Sequence, residues 1–139
     1  MCVVEPLLQP HRCYWPAIPK ALQTRLHLDG IANITGGGLY DNVPRILPDD
    51  VMVRFEAANI HDAPPIFKLL QKCGKIDNEE MYRVFNMGVG MAVVLPPSAV
   101  GAAQAVLDAR GVPSWVLGET RSDAGAAASV TLTGDHFAQ

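Results

Sequence analysis

The chain has 139 residues, of which 49% are hydrophobic and 18% are charged, as expected for one globular domain with its own core. Its formal net charge is -3 and its Lys and Arg residues form no run, which argues against binding to nucleic acid or to an anionic membrane surface. Its apolar runs are far shorter than the roughly 20 residues that span a membrane, and its first residues lack the pattern of a signal peptide.

The cysteines and histidines are scattered along the chain. The three cysteines form neither a C-x-x-C pair nor a disulfide pattern, so we expect reduced thiols, a cytoplasmic location and no metal site. The four histidines are interpreted as surface or core residues rather than as metal ligands. These residues are Cys2, Cys13 and Cys73, and His11, His27, His61 and His136.

Apolar spacing and breaker residues divide the chain into short helices and strands. Apolar residues four apart mark the first helix, whereas alternation of apolar and polar residues marks the strand at 51–57. Asp77 and Glu80 have the spacing of a capping box, and Ser98 is expected to cap the last helix. The predicted elements are helices at 17–27, 38–47 (disturbed by Pro44), 62–74, 77–86 and 98–111, and strands at 30–34, 51–57, 90–96, 114–119 and 128–133.

The order of these elements predicts the fold class. The strand–helix–strand order at 90–119 indicates a crossover unit in which helices cover a sheet. The last two strands indicate an antiparallel hairpin with its turn at 121–125. We therefore expect an α+β (mixed α/β) fold in layers, formed as a single domain over residues 1–139.

Three consecutive glycines follow the predicted strand at 30–34, within the stretch NITGGGLYDN. Their N–H groups could converge on a phosphate, and the N-terminus of the following helix would add positive charge. Neither the Walker A pattern nor the dinucleotide fingerprint fits this stretch. The alternative is a tight strand-to-helix turn that needs glycine for a positive φ, and the residues alone leave both explanations open.

A second candidate loop is FNMGVGM, at residues 85–91, which precedes a predicted strand. Asn86 offers donors and an acceptor there, but a glycine-assisted helix end with Asn86 in a left-handed cap is the simpler explanation. Arg45 follows the first loop by about one helical turn and suits bidentate recognition of phosphate, although a solvated surface charge is the alternative. No pair of nucleophile and base has a recognisable spacing.

Four stretches occur in the order found in one enzyme family. From about residue 5 to about residue 119 the chain resembles the C-terminal domain of phosphoribosylformylglycinamidine cyclo-ligase, also called aminoimidazole ribonucleotide synthetase. The most specific string is EMYRVFNMGVGM. The four stretches are LLQPHRCY (7–14), IANITGGGLYDNVPRILP (31–48), PPIFKLLQKCG (64–74) and EEMYRVFNMGVGM (79–91).

The resemblance implies a three-layer α/β/α domain with a mixed sheet and a role in purine synthesis. In that reaction ATP, with Mg2+, phosphorylates the amide oxygen of formylglycinamidine ribonucleotide, and an internal amine closes the imidazole ring. The resemblance also implies a cleft shared with an N-terminal domain that holds most of the ATP and Mg2+ site and the core of a homodimer. We expect that domain to be absent from these 139 residues and to be required in cis or in trans for activity.

The resemblance implies a set of site residues as well. Asn33 stands where the family usually has a His, and it can hydrogen-bond but cannot titrate. Two further departures are His11, in Pro-His-Arg where the family has Pro-Thr-Arg, and His61 in place of an aromatic residue. The implied residues that bind substrate or phosphate are Asn33, Thr35, Gly36, Gly37, Gly38, Asn42, Arg45, Asn86, Gly88 and Gly90, with no acid, base or metal ligand assigned.

Two functions therefore stay open. The chain is either one part of a cyclo-ligase, active only with its N-terminal domain, or a noncatalytic phosphate-binding, nucleotide-binding or interaction domain that has retained the fold. A third hypothesis is that separation from the partner domain exposes an apolar surface that drives self-association.

Overall fold

A computed structural model describes residues 4–18, 26–60, 63–125 and 127–134. Most of the predicted helix at 17–27 lies outside these ranges, as do Cys2, His61 and His136. The described helices are α1 (Val4–Leu7), α2 (Gly38–Asn42), α3 (Pro65–Gly74), α4 (Asn78–Val84) and α5 (Val100–Asp108), with short 3-10 helices at Pro44–Ile46, Ala57–Asn59 and Pro97–Ala99. The described strands are β1 (Gly30–Asn33), β2 (Val51–Glu56), β3 (Met91–Val94), β4 (Gly118–Ser122) and β5 (Ser129–Thr133).

The described strands form two sheets. In the first, β1 and β3 pair antiparallel, with Ala32 opposite Ala92 and both side chains buried. In the second, β2 lies in the centre, antiparallel to β4 on one side and parallel to β5 on the other. One mixed sheet and one antiparallel pair, together with the helices, confirm the predicted α+β class.

Two predictions about strand pairing are wrong. β4 and β5 do not form a hairpin, because they lie on opposite sides of β2. Residues 90–119 do not form a crossover unit either, because β3 and β4 belong to different sheets. The alternation at 51–57 did predict the central strand correctly, since Val53 and Phe55 are buried in the core.

Asp50 explains why the chain passes from one side of β2 to the other. It precedes β2 with a positive φ of 68°, and its backbone oxygen accepts a hydrogen bond of 2.7 Å from the N–H of Asp123. Its side-chain Oδ1 accepts another, of 2.8 Å, from the N–H of Gly125. These two hydrogen bonds hold the segment after β4 at the start of β2. From there β5 runs parallel to β2, along the edge of β2 that β4 does not occupy.

One of the two predicted helix caps is confirmed and the other is wrong. Asp77 caps α4, since its side chain accepts a 2.8 Å hydrogen bond from the N–H of Glu80. Ser98 does not cap α5, because a 3-10 helix occupies residues 97–99 and Ala99 precedes the first α-helical turn without a side-chain cap. A proline just before Ser98 favours that tighter turn.

The centre of the core is formed where α2 and α4 pack together. Ile34, Leu39 and Val43 from the first glycine loop and its helix are fully buried beside Met81 and Met87. At the contact, Gly38 has a φ of 54°, and a Cβ there would collide with the carbonyl oxygen of Tyr82 and come within 2.7 Å of that of Phe85. A glycine is therefore required at this position for steric as well as conformational reasons.

Replacing Gly38 with Ala should lower the free energy of unfolding by about 3 kcal/mol, because the methyl group meets rigid backbone and φ is left-handed. Gly101→Ala is the matched control, since Gly101 lies on α5 with open space around it. That change should raise stability by about 0.5–1 kcal/mol. Urea unfolding followed by circular dichroism measures both, and equal stabilities for the two variants would contradict the packing described here.

Candidate functional site

An open groove of about 410 Å³ lies between the two glycine-containing loops. It contains residues from the N-terminal segment, the first loop, α3 and the end of α4, so four separate parts of the chain meet there. Most of its surface is apolar, with polar groups at the loop edges. The lining residues are His11, Ile34, Thr35, Gly36, Phe67, Val84, Phe85 and Asn86.

Three of the ten predicted site residues line this groove: Thr35, Gly36 and Asn86. The other seven do not line it. Asn33 is exposed on β1, opposite Met91, and Arg45 is exposed in a 3-10 helix behind the first loop. The remaining five lie within or behind the two loops: Gly37, Gly38, Asn42, Gly88 and Gly90.

The three consecutive glycines have different environments. Gly37 and Gly38 have positive φ angles of 93° and 54°, so the tight-turn explanation accounts for both. Gly36 has no positive φ, and a Cβ added there would meet nothing within 4 Å. The turn therefore does not require glycine at position 36, and the absence of a side chain leaves backbone open to the groove.

Gly36 and Asn86 line the groove, and their backbone N–H groups are candidate donors to a ligand. Among the described residues, none accepts a hydrogen bond from the N–H of Gly36 or from that of Asn86. By contrast, the N–H of Gly38 donates to the carbonyl of Thr35 at 3.1 Å. Since α2 has only five residues, the helix dipole adds little to the binding of an anion here.

Asn42 holds the first loop in shape from behind. It is 5% exposed, and its Nδ2 donates to the carbonyl oxygens of Gly38 at 2.8 Å, Gly36 at 3.2 Å and Thr35 at 3.4 Å. Its Oδ1 lies 3.5 Å from both the Thr35 hydroxyl and an Arg45 guanidinium nitrogen. The carboxamide is thus used within the protein, and Asn42 positions the loop rather than facing the groove.

The second loop is shaped by Asn86. Its Oδ1 accepts a hydrogen bond of 3.1 Å from the N–H of Gly88, and its carbonyl accepts one of 2.8 Å from Val89. The left-handed residues are Met87, with φ 50°, and Gly88, with φ 90°. The alternative that placed Asn86 itself in a left-handed cap is therefore wrong, although the helix does end here.

Charged residues outside the groove connect the helices that carry the loops. The Arg83 guanidinium lies 5.0 Å from the centroid of the Tyr40 ring and 2.7 Å from a Glu79 carboxylate oxygen. Burial raises the pKa of the Tyr40 phenol above its ordinary value, and the Glu79 carboxylate raises it further. The hydrogen bond to Glu79 raises the pKa of Arg83 as well. These contacts fasten α2 to α4 and so hold the two loops together.

Five groove residues were not among the predicted site residues: His11, Ile34, Phe67, Val84 and Phe85. His11 was interpreted as a surface or core histidine and as a departure from the family pattern. Phe67 and Phe85 line the groove with ring centroids 5.6 Å apart and planes inclined at 53°. Both phenylalanines lie within the strings that carry the family resemblance, which is the one signal in the sequence that could have indicated them.

The family model for "AIR synthase related protein, C-terminal domain" matches residues 3–131. The chain belongs to this family. A phosphoribosylformylglycinamidine cyclo-ligase from Pseudothermotoga lettingae is 42% identical over 115 residues, which is 83% of this chain and 33% of the relative. Proteins of the same name from Methylobacillus flagellatus and Coxiella burnetii are 40% and 41% identical, over 91% and 94% of this chain and 36% and 37% of their own lengths. The chain thus spans about a third of the length of these curated relatives.

In the part of the chain that the structure describes, no three His, Cys, Asp or Glu side chains come together in a way that could hold a metal ion. No helix in those ranges is sufficiently long and apolar to cross a membrane.

Replacing Asn42 with Asp should lower the free energy of unfolding by about 2–3 kcal/mol at neutral pH, because the carboxylate oxygen that replaces Nδ2 would face three carbonyl oxygens with no hydrogen to donate. Asn33→Asp is the control, since Asn33 is exposed and should change stability by less than about 0.5 kcal/mol. Urea unfolding gives the free energies, and amide exchange at Gly38, whose N–H donates to Thr35, reports the loop. Unchanged exchange in Asn42→Asp would contradict a positioning role for Asn42.

Proposed function

We propose that this chain forms one wall of the substrate cleft of an ATP-dependent cyclo-ligase, which converts formylglycinamidine ribonucleotide to aminoimidazole ribonucleotide in purine biosynthesis. Family membership supports the proposal, as do the names of relatives that are 40–42% identical to this chain over the aligned residues. A reaction that consumes ATP and a nucleotide intermediate also agrees with a cytoplasmic location.

The observation that carries the proposal is the environment of Gly36. Its backbone borders the groove with open space at the Cβ position, and its N–H has no acceptor among the described residues. The N–H of Asn86, on the facing loop, also has no acceptor among the described residues. Two such donors across an open groove suit the oxygens of a phosphate or ribose, and Thr35 adds a hydroxyl.

The rest of the groove suits the less polar part of such a substrate. Phe67 and Phe85 supply aromatic surface beside the polar edge formed by Gly36 and Asn86. A planar amidine or imidazole could lie against these rings while the phosphoribosyl group meets the N–H donors. The volume of about 410 Å³ is within the range of small-molecule sites.

ATP and Mg2+ are proposed to be bound mainly by the part of the full-length enzyme that this chain does not span. Magnesium prefers carboxylate oxygens, and the described residues do not bring three acidic or metal-binding side chains together. These residues therefore do not fit a magnesium site of their own, and we derive no step through the ion. When bound, the nucleotide would supply the phosphoryl group that activates the amide oxygen.

A noncatalytic phosphate-binding domain is the second candidate. Asn33 favours it, because this residue stands where the family usually has a His and its side chain cannot exchange a proton near neutral pH. Under this hypothesis the groove binds ligand but supports no ring closure, even beside a complete nucleotide site.

The homodimer implied by the family resemblance remains a proposal. Its core would lie in the N-terminal domain, so the isolated chain would be monomeric unless exposed apolar side chains associate. Trp15 is 73% exposed and Leu8 is 75% exposed, which makes the N-terminal segment the candidate surface for such association. Light scattering at several concentrations would decide.

A chimaera tests the proposed function. This chain would replace the matching third of the Coxiella burnetii relative, and ATP-dependent formation of aminoimidazole ribonucleotide would be measured. We expect activity in the chimaera and a loss of about a hundredfold in kcat/KM on Gly36→Val, because the side chain would occupy the groove and displace substrate. Gly101→Ala, on α5 outside the groove, is the control and should retain full activity.

Ligand binding to the 139-residue chain separates the two candidate functions. NMR titration with ribose 5-phosphate should shift the amides of Gly36 and Asn86 in the wild type but not in Gly36→Val. Binding in the chain combined with an inactive chimaera would favour the noncatalytic domain. Absence of shifts at millimolar ligand would contradict both.

A further inference from the structure

His11 is the one titratable side chain among the described residues that line the groove. The other lining residues are apolar, or carry a hydroxyl, an amide or bare backbone. No carboxylate, Lys or Arg lines the groove within the described ranges, so the charge of this imidazole is not balanced there. Arg12 follows it in the chain and is also exposed.

The position of His11 depends on the second loop. Its ring meets the Tyr14 ring edge-on, with centroids 5.8 Å apart and planes inclined at 71°. Tyr14 in turn lies directly against Gly90, where an added Cβ would collide with the Tyr14 hydroxyl. Since Gly90 is buried and its carbonyl accepts a 3.0 Å hydrogen bond from Ile34, the contact anchors the N-terminal segment beside the groove.

We propose that His11 is a specificity-determining contact for the anionic group of the ligand, and that its protonation strengthens anion binding in this groove. This inference rests on the proposed function, because it assumes that the groove receives a phosphate-bearing molecule. The N–H groups of Gly36 and Asn86 are neutral donors, whereas an imidazolium adds a charged donor and a full positive charge. The bound anion then spans two loops and the N-terminal segment.

Sulfate is the appropriate probe, because it stays dianionic over the whole range in which histidine titrates, whereas a phosphate ester changes charge near pH 6. Titrations followed by the amide shifts of Gly36 and Asn86 would be run at about pH 5.5 and at about pH 8. The wild type should bind sulfate about fivefold more tightly at the lower pH.

Two variants isolate the role of His11. His11→Gln keeps a hydrogen-bonding side chain but no titratable charge, so it should lose most of this pH dependence. His27→Gln is the control, because the His27 Nε2 lies 3.1 Å from an Asp29 carboxylate oxygen and His27 does not line the groove. This variant should retain the wild-type ratio between the sulfate affinities at the lower and the higher pH. Both histidines are exposed, so both variants should fold normally.

The outcomes distinguish this inference from the proposed function. An equal pH dependence in His11→Gln and wild type, or absence of sulfate shifts at the lower pH, would overturn the role of His11. Ribose 5-phosphate at a fixed pH of about 8 tests the groove itself. Suppose that ribose 5-phosphate binds, and that His11→Gln keeps the wild-type ratio of sulfate affinities at the two pH values. The proposed groove would then stand, and the proposed role of His11 would be refuted.

Discussion

The contact between Gly38 and the end of α4 is the constraint on which the groove depends. The carbonyl oxygens of Tyr82 and Phe85 approach Gly38 so closely that no side chain fits, and this contact fixes how far apart the two loops begin. From there the first loop runs back to Gly36 and the second runs forward to Asn86. Because backbone meets backbone, the separation does not depend on flexible side chains, as a binding groove of defined width requires.

Some polar groups around this contact make hydrogen bonds within the protein, whereas others lie at the groove. The Asn42 carboxamide donates to three carbonyl oxygens of the loop, and burying it is favourable only because those hydrogen bonds are made. Among the described residues, the N–H groups of Gly36 and Asn86 have no acceptor, and both residues line the groove. Asn42 therefore supports the first loop from behind, whereas Gly36 and Asn86 face the groove, although the sequence indicated all three as binding residues.

Local signals in the sequence predicted local structure well. The alternation at 51–57 identified β2, and the Asp77 spacing identified the start of α4, because each depends on residues within one or two turns. The positions of β4 and β5 around β2 depend on Asp50 holding a segment more than seventy residues away, which no periodicity records. Likewise, the sequence indicated both loops, but not that His11 and Phe67 complete the space between them. Those positions are set by packing of distant segments, as with Tyr14 on Gly90.

The chemistry of the groove also refines what three glycines can mean. Gly37 and Gly38 are required by backbone conformation and close packing. Gly36 is required by neither, and open space surrounds the position of its missing Cβ. A phosphate cradle built from all three would need each N–H to be available, yet the N–H of Gly38 is already bonded to Thr35. The first loop therefore offers fewer donors than its sequence suggests. A tightly held anion needs further donors from the facing loop, from the N-terminal segment, or from the parts of the full-length relatives beyond this third.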